Sequence, residues 1–431
     1  MKKVFIVFSI LLLGFFIRVH NYQLYPQRGA TSDEYTYSFL GVSLITKRVP
    51  ISWSYFAYDN RSDLTINNIY FPIVYPYFDH PPLNGLFVGG WAVLKGQDTF
   101  TKIDLKTIRI VPIFFGMISS LLLFLIANRL YSFKTAVWSL LIFSTSTLFV
   151  MNMRVVVAEN LLTVLFLGSL YAYAYFIKNM TTRKAIILGI LSGFSLWTKI
   201  MGISIFLTLL FFFLKDRVKT KYIVMFCTAF FVFVGLLLGY AGYYDFKLFW
   251  QVQLSQGGRN IGPETLRLIL SSPVIVNKVF YDGWYFFGFF SLFLQFTSFK
   301  KNKYIIVSSL FYLCLLLISM TKEGHSGWYM IPLFPFMAIA MGEVLKEAVE
   351  AGSFILAIFL LFIGMSHIQN IYQVWFGLTP AYYRILFVLL IFPFLFIFLI
   401  KKKWIYALAN ILFYSMILGN ILQTYSYIHP S

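Results

Sequence analysis

An all-α polytopic membrane protein is what the sequence predicts, on three observations. Charged residues make up only 12% of the 431 positions, about half the share usual in a soluble domain. Apolar runs recur through the chain at about the 20-residue length a helix needs to cross a hydrocarbon core about 30 Å thick. The basic residues fall in short clusters between those runs, where a bilayer topology wants them. Length alone would allow two or three soluble domains, but the apolar runs leave no room for them. A formal charge of +19, from 35 Lys and Arg against 16 Asp and Glu, would suit nucleic acid; the clustering excludes that, and no nucleic-acid partner is expected. Cys227 and Cys314 each lie inside an apolar run, which rules out a disulfide framework.

The first run, from Val4 to about Val19, follows Lys2-Lys3 and is followed by Arg18-Val19-His20-Asn21-Tyr22. With no small-x-small cleavage site there, it reads as an uncleaved signal anchor with a cytoplasmic N-terminus. Further runs lie near 107–128, 135–151, 160–177, 185–198, 200–214, 222–241, 284–299, 304–320, 328–342, 352–366, 384–400 and 404–420. Basic clusters separate them: Arg129 with Lys134; Lys178, Arg183 and Lys184; Lys215 to Lys221; Lys300 to Lys303; Lys401 to Lys403. A helix at 83–95 reaches only about 20 Å and is too short to span. Leaving it out puts every cluster on the side of Lys2-Lys3, so the positive-inside rule selects about 13 transmembrane helices, N-terminus in and C-terminus out, in the plasma (inner) membrane. Whether 185–214 forms two full spans or a broken pair stays open at this level.

This topology gathers segments 20–106, 152–159, 243–283, 321–327 and 367–383 on the extracytoplasmic side. The first, by far the longest loop, carries two amphipathic stretches, about 33–46 and 83–95, expected as interfacial helices. Residues 1–345 are read as a catalytic transmembrane core and 346–431 as C-terminal transmembrane helices with no sizeable soluble domain.

Five groups of residues on that side have the chemistry of a site. Asp33-Glu34 opens the first interfacial stretch; an N-terminal helix charge explains the pair, and so does a general base facing an acceptor. Asp79-His80-Pro81-Pro82-Leu83 reads either as a rigid turn with Pro opening a helix or as part of a site. Arg154 and Glu159 flank the junction of two spans, as an interfacial anchor and a helix charge or as groups positioning an acceptor and neutralising a phosphate. Lys199 breaks an otherwise uncharged stretch between Lys184 and Lys215; it is a snorkelling lysine or a phosphate-facing cation. Finally, Lys322, Glu323, His325, Trp328 and Tyr329 sit at a span entrance, where a polar loop and aromatic belt or a lipid-phosphate headgroup site would each account for them. His20, His367 and His429 have no evident partners and read as loop residues. No HExxH, Walker loop, GxSxG or CxxC occurs, which leaves zinc proteases, P-loop pumps and serine hydrolases without support.

Taken in order, the signature is more specific than its parts. A signal anchor, Asp33-Glu34, His80-Pro81-Pro82-Leu83, Arg109 opening a span, Glu159, Gly189-x-x-x-Gly193 followed by Lys199, and Tyr329-x-x-Pro332-x-x-Pro335 together resemble the GT-C superfamily of integral membrane glycosyltransferases. The similar branch is the one holding protein O-mannosyltransferases and the aminoarabinose transferase of lipid A, and the likeness covers roughly residues 1–340. It implies a GT-C fold and a sugar donor carried on polyprenyl phosphate, transferred outside the cytoplasm to a lipid, protein or glycan acceptor. On that resemblance Asp33 matches the catalytic aspartate, with Glu34 and Glu159 as further catalytic carboxylates. Glu159 stands where relatives commonly have Asp, and His80 where they often have Lys or another polar residue. His80, Arg154, Lys199, His325 and Tyr329 are expected to bind substrate. The implied chemistry is direct displacement at the anomeric carbon with inversion, Asp33 removing the acceptor proton while a cation stabilises the leaving phosphate. Some superfamily members use a divalent metal, but no ligand spacing for one is visible; no metal or other cofactor is expected beyond the lipid-phosphate sugar as donor substrate. Competing readings are a lipid-linked glycan ligase or polymerase and a lipid-linked-sugar flippase. The flippase lacks support because no internal repeat is visible and the charges gather at the outer edge rather than at the bilayer centre.

Overall fold

Every expected span corresponds to helix in the computed structural model, which describes residues 2–428 apart from 28, 57, 67–68, 259, 321–325, 368–369, 371–376, 378, 398 and 400–401. Side-chain caps mark several starts. Ser132 accepts from Thr135 N at the head of Phe133–Thr145, Thr181 from Lys184 N at the head of Thr182–Thr198, and Asp282 from Trp284 N at the head of Gly283–Gln295, each satisfying a helix donor that would otherwise lack a partner. Among the described residues, length and apolar composition alone qualify six helical stretches as membrane-crossing, while Phe133–Thr145, Ile200–Lys215 and Ile355–His367 are shorter. Two of the expected runs, 284–299 and 304–320, form one helical stretch, Gly283–Ser319, that reverses through the turn Phe296–Ser298. The run at 135–151 is broken at Ser146, whose backbone is extended. The 185–214 region is a pair: Thr182–Thr198 ends at an extended Lys199, and Ile203–Lys215 follows a turn at Ile200–Gly202. Phe334–Ala351, buried along nearly its whole length, forms the centre of the bundle.

Long-range contacts define two ends of the bundle. At one end Glu34, Arg109 and Val156 meet, Asn152 bonds Val274 and Val276, Gly327 N bonds Val276 O, and His20 stacks on Tyr425. At the other end Lys3 lies over Phe133, Lys134 pairs with Glu350, Lys301 with Glu343 and Lys303 with Asp216. Residues from the 20–106, 152–159 and 243–283 segments thus meet with Gly327 at one end, while Lys3, Lys134, Lys301 and Lys303 lie at the other.

The first long loop differs from the expected pair of interfacial helices. Asp33–Lys47 is buried by protein from Glu34 through Ser43, so it is an internal helix rather than one lying on a surface. It packs on Leu83–Leu94 so closely that a Cβ on Gly41 would lie 1.7 Å from Gly85 O. Between these helices runs a small antiparallel sheet that the all-α expectation did not include. Its strands are β1 (Ser52–Trp53), β2 (Arg61–Ile66) and β3 (Ile69–Val74), in the order β1-β3-β2 with Ser52 opposite Val74 and Ser62 opposite Ile73. A hairpin of β4 (Val274–Ile275) and β5 (Lys278–Val279) lies in the 243–283 segment. His367, read from sequence as a loop residue, is the last residue of a helix and is buried against Asn420 at 2.7 Å; His429 lies outside the described residues.

Candidate active site

The acidic pair of the first loop divides at once. Glu34 is fully buried and makes a two-pronged ion pair with Arg109: Nε donates to Oε1 at 2.8 Å and Nη2 to Oε2 at 2.7 Å. Val156 N donates to the same carboxylate at 3.1 Å, and Arg109 Nη1 donates to Tyr22 O and Pro26 O. This planar, charge-assisted geometry ties the loop to the start of one span and to the 152–158 junction. One residue earlier on the helix, Asp33 is half-buried and stands at the helix N-terminus, its backbone N–H donating to Thr31 Oγ1 at 3.2 Å.

Tyr37, one turn further along that helix, is enclosed by the other candidates. His80 stacks on its ring at 4.8 Å with planes 20° apart. Burial pushes the Tyr37 hydroxyl well above its ordinary range, and the nearby Glu159 and Asp33 carboxylates push the same way. Across from them Lys199 Nζ donates to Glu159 Oε1 at 2.5 Å and lies 4.9 Å from the centre of the Tyr329 ring. Glu159 Oε2 is buried without a hydrogen-bond partner among the described residues. Lys199 reaches this place because the helix stops at Thr198 and the chain passes through an extended residue before turning back.

A cavity of about 340 Å³ opens here, lined by Asp79, His80, Lys199 and Tyr329 on its polar side and by Ile200, Ile203, Leu316 and Ile318 on its apolar side. The turn at 78–80 is held from two directions. Tyr58 donates to Asp79 Oδ1 at 2.7 Å and accepts from Phe78 N at 3.0 Å. Gln253 and Gln256, from Phe246–Gly257, donate to Phe78 O and Asp79 O. Burial and the Asp79 charge raise the Tyr58 hydroxyl far above its usual value.

The structure thus gathers Asp33, His80, Glu159, Lys199 and Tyr329, and leaves two expected residues apart. Glu34 is sealed behind Arg109. Arg154 is buried, donating to Ile17 O at 2.5 Å and Tyr25 O at 3.3 Å, and does not line the cavity. Burial, with Arg18 and Arg109 nearby, lowers its guanidinium to about 9. His325 lies outside the described residues. Sequence reasoning missed Tyr37, Tyr58, Gln253 and Gln256; only the spacing Asp33-x-x-x-Tyr37, which puts both on one helix face, offered a signal. Among the described residues no three His, Cys, Asp or Glu side chains group as for a metal, and the cation set on Glu159 is Lys199.

The arrangement is a carboxylate and an ammonium beside a cavity with one polar and one apolar wall, suited to a lipid phosphate next to an acceptor. A family model described as dolichyl-phosphate-mannose-protein mannosyltransferase matches residues 79–239. The structure is similar to that of ArnT from Cupriavidus metallidurans, with a TM-score of 0.59 and 13% identity over 98% of this chain and 76% of that one in the apo state. The same protein bound to undecaprenyl phosphate gives 0.57. The archaeal oligosaccharyltransferase AglB from Archaeoglobus fulgidus, in complex with an inhibitory peptide and a dolichol-phosphate, gives 0.53 at 11% identity, over all of this chain and 56% of that one. No curated protein sequence matches the chain. Fold and family match define the class: this is an integral membrane protein with the GT-C fold. Over residues 79–239 it is similar to the mannosyltransferase family that this model describes.

Proposed function

We propose that the protein transfers a sugar from a polyprenyl-phosphate-linked donor to an acceptor on the extracytoplasmic side, by inverting displacement. The observation that carries this reading is the meeting of Asp33, Glu159 and Lys199 beside a half-apolar cavity, at the end of the bundle opposite Lys3, Lys134, Lys301 and Lys303. Asp33, half-buried at the N-terminus of its helix, takes the acceptor proton as the acceptor oxygen or nitrogen attacks the anomeric carbon. The bond to the phosphate oxygen breaks, and its electron pair leaves with the polyprenyl phosphate. Lys199 stabilises the charge on that phosphate, a contribution that grows in a site shielded from water. Glu159 holds Lys199 in position, and the Tyr329 ring backs the ammonium. His80, stacked on Tyr37, lines the cavity together with Lys199. Glu34 and Arg154 act as positioning residues that anchor the first loop, and His325 is proposed as a further phosphate-binding residue.

The test is transfer from labelled polyprenyl-phosphate sugars to extracted membranes by purified protein in nanodiscs. Asp33→Asn should lower turnover by about 10²–10⁴ without loss of folding or donor binding. Near-wild-type transfer by that variant would remove Asp33 from the mechanism, and label in the lipid, protein or glycan fraction would name the acceptor.

A further inference from the structure

A cavity of about 680 Å³, larger than that of the candidate site, lies at the opposite, basic end of the bundle. Its floor and walls are apolar and come from four elements: Ile6 and Ile10 of the first helix, Trp138 and Leu141 of Phe133–Thr145, Val349 of the central helix, and Tyr414 of Lys403–Tyr425. The first helix borders it with side chains turned outward, Val4, Phe5 and Phe8 being 73%, 71% and 60% exposed, so the groove is continuous with a surface made for hydrocarbon. Charge appears only at its mouth. Lys134 and Lys346 line it there, Lys3 lies over Phe133, and Lys402 and Lys403 open the helix that supplies its far wall. The single lining carboxylate, Glu350, is engaged by Lys134 at 2.6 Å, and the neighbouring Glu343 and Glu347 are engaged by Lys301. Lys346 makes no ion pair among the described residues, which leaves the mouth strongly positive.

We propose that this groove seats one anionic phospholipid, its phosphate between Lys346 and Lys134 and an acyl chain along Ile6, Ile10 and Leu141. The occupant follows from charge complementarity: a basic rim selects a phosphate headgroup, and the apolar length below it suits a chain that a free phosphate does not have. The site is at the other end of the molecule from the cavity of Lys199, so it stands whether or not the glycosyltransferase reading does.

Trp138 provides the probe. The full-length protein is placed in nanodiscs of phosphatidylcholine containing either dibrominated phosphatidylglycerol or dibrominated phosphatidylcholine, and quenching of Trp138 is taken as the difference between wild type and Trp138→Phe. Phosphatidylglycerol should occupy the groove about fivefold in preference, the effect of about one effective cation at a membrane surface. Lys134→Gln/Lys346→Gln should abolish the preference while leaving the elution profile of the protein unchanged. Equal quenching by the two lipids, or a preference that survives in the double variant, would overturn the proposal. Trp138→Phe/Lys402→Gln/Lys403→Gln, compared with Lys402→Gln/Lys403→Gln, should keep most of it; loss there would relocate the charge effect to the chain end and also count against the site.

Discussion

Replacing Lys199 by Met separates what this residue does for folding from what it does for chemistry. In the native protein its ammonium is 14% exposed and Glu159 only 1%, with one carboxylate oxygen already lacking a partner among the described residues. Lys199→Met therefore strands a buried charge, a change that costs about 3–5 kcal/mol of stability when one member of a buried pair is removed. It also removes the cation proposed to face the leaving phosphate, and loss of one such electrostatic group typically lowers kcat by about 10²–10³. The two effects part company in Lys199→Met/Glu159→Gln, where no charge is left behind, because replacing both partners of a buried pair with neutral groups is often close to neutral for stability. The expected outcome is that the double variant regains the apparent melting temperature of wild type in detergent but stays at least about 10²-fold down in turnover at saturating donor. Turnover that recovers together with stability would show that Lys199 acts only as the partner of Glu159, and the phosphate role would fall.

Three further outcomes follow. Glu34→Gln should cost about 3–5 kcal/mol and expose the first loop to limited proteolysis, because Arg109 keeps Tyr22 O and Pro26 O but loses its charged partner, one carboxylate acceptor giving way to an amide NH2 that faces the guanidinium; an unchanged cleavage pattern would refute its anchoring role. Gly41→Ala should lower folded yield, since its new methyl would meet Gly85 O at 1.7 Å and overpacking costs about 1–3 kcal/mol or more. Gly90→Ala, whose nearest new neighbour is Ile45 Cδ1 at 3.6 Å, should fold as wild type, and equal behaviour of the two would show that the helix contact is not tight. Because Lys199 supplies the cation on Glu159, transfer should persist in excess EDTA; loss of turnover that a divalent ion restores would refute that reading.

How legible the site was depends on the distance over which each feature is decided. Helix positions follow from local hydropathy, so the expected spans coincide with helix among the described residues. The sheet at 52–74 escaped notice for a local reason: β1 has two residues, β3 contains Pro72, and the burial along β3 does not alternate cleanly, so the period-2 signal is absent. Asp33 and Glu34 look interchangeable in sequence, yet successive helix residues point about 100° apart, which turns one towards Arg109 and leaves the other half-open.

The sequence by itself determined the class of protein, the order of its helices and the short roster of ionisable residues able to do chemistry, because in a chain with 16 acidic residues each charge held near a bilayer needs a reason. Tertiary structure alone decided the pairing. Glu34 meets Arg109 across 75 positions and Glu159 meets Lys199 across 40, and no local signal distinguishes those partners from Arg154, which lies closer in sequence to Glu159. Which cation a buried carboxylate receives is set by helix packing and by where a helix stops, as at Thr198, and those are properties of the whole bundle rather than of any segment.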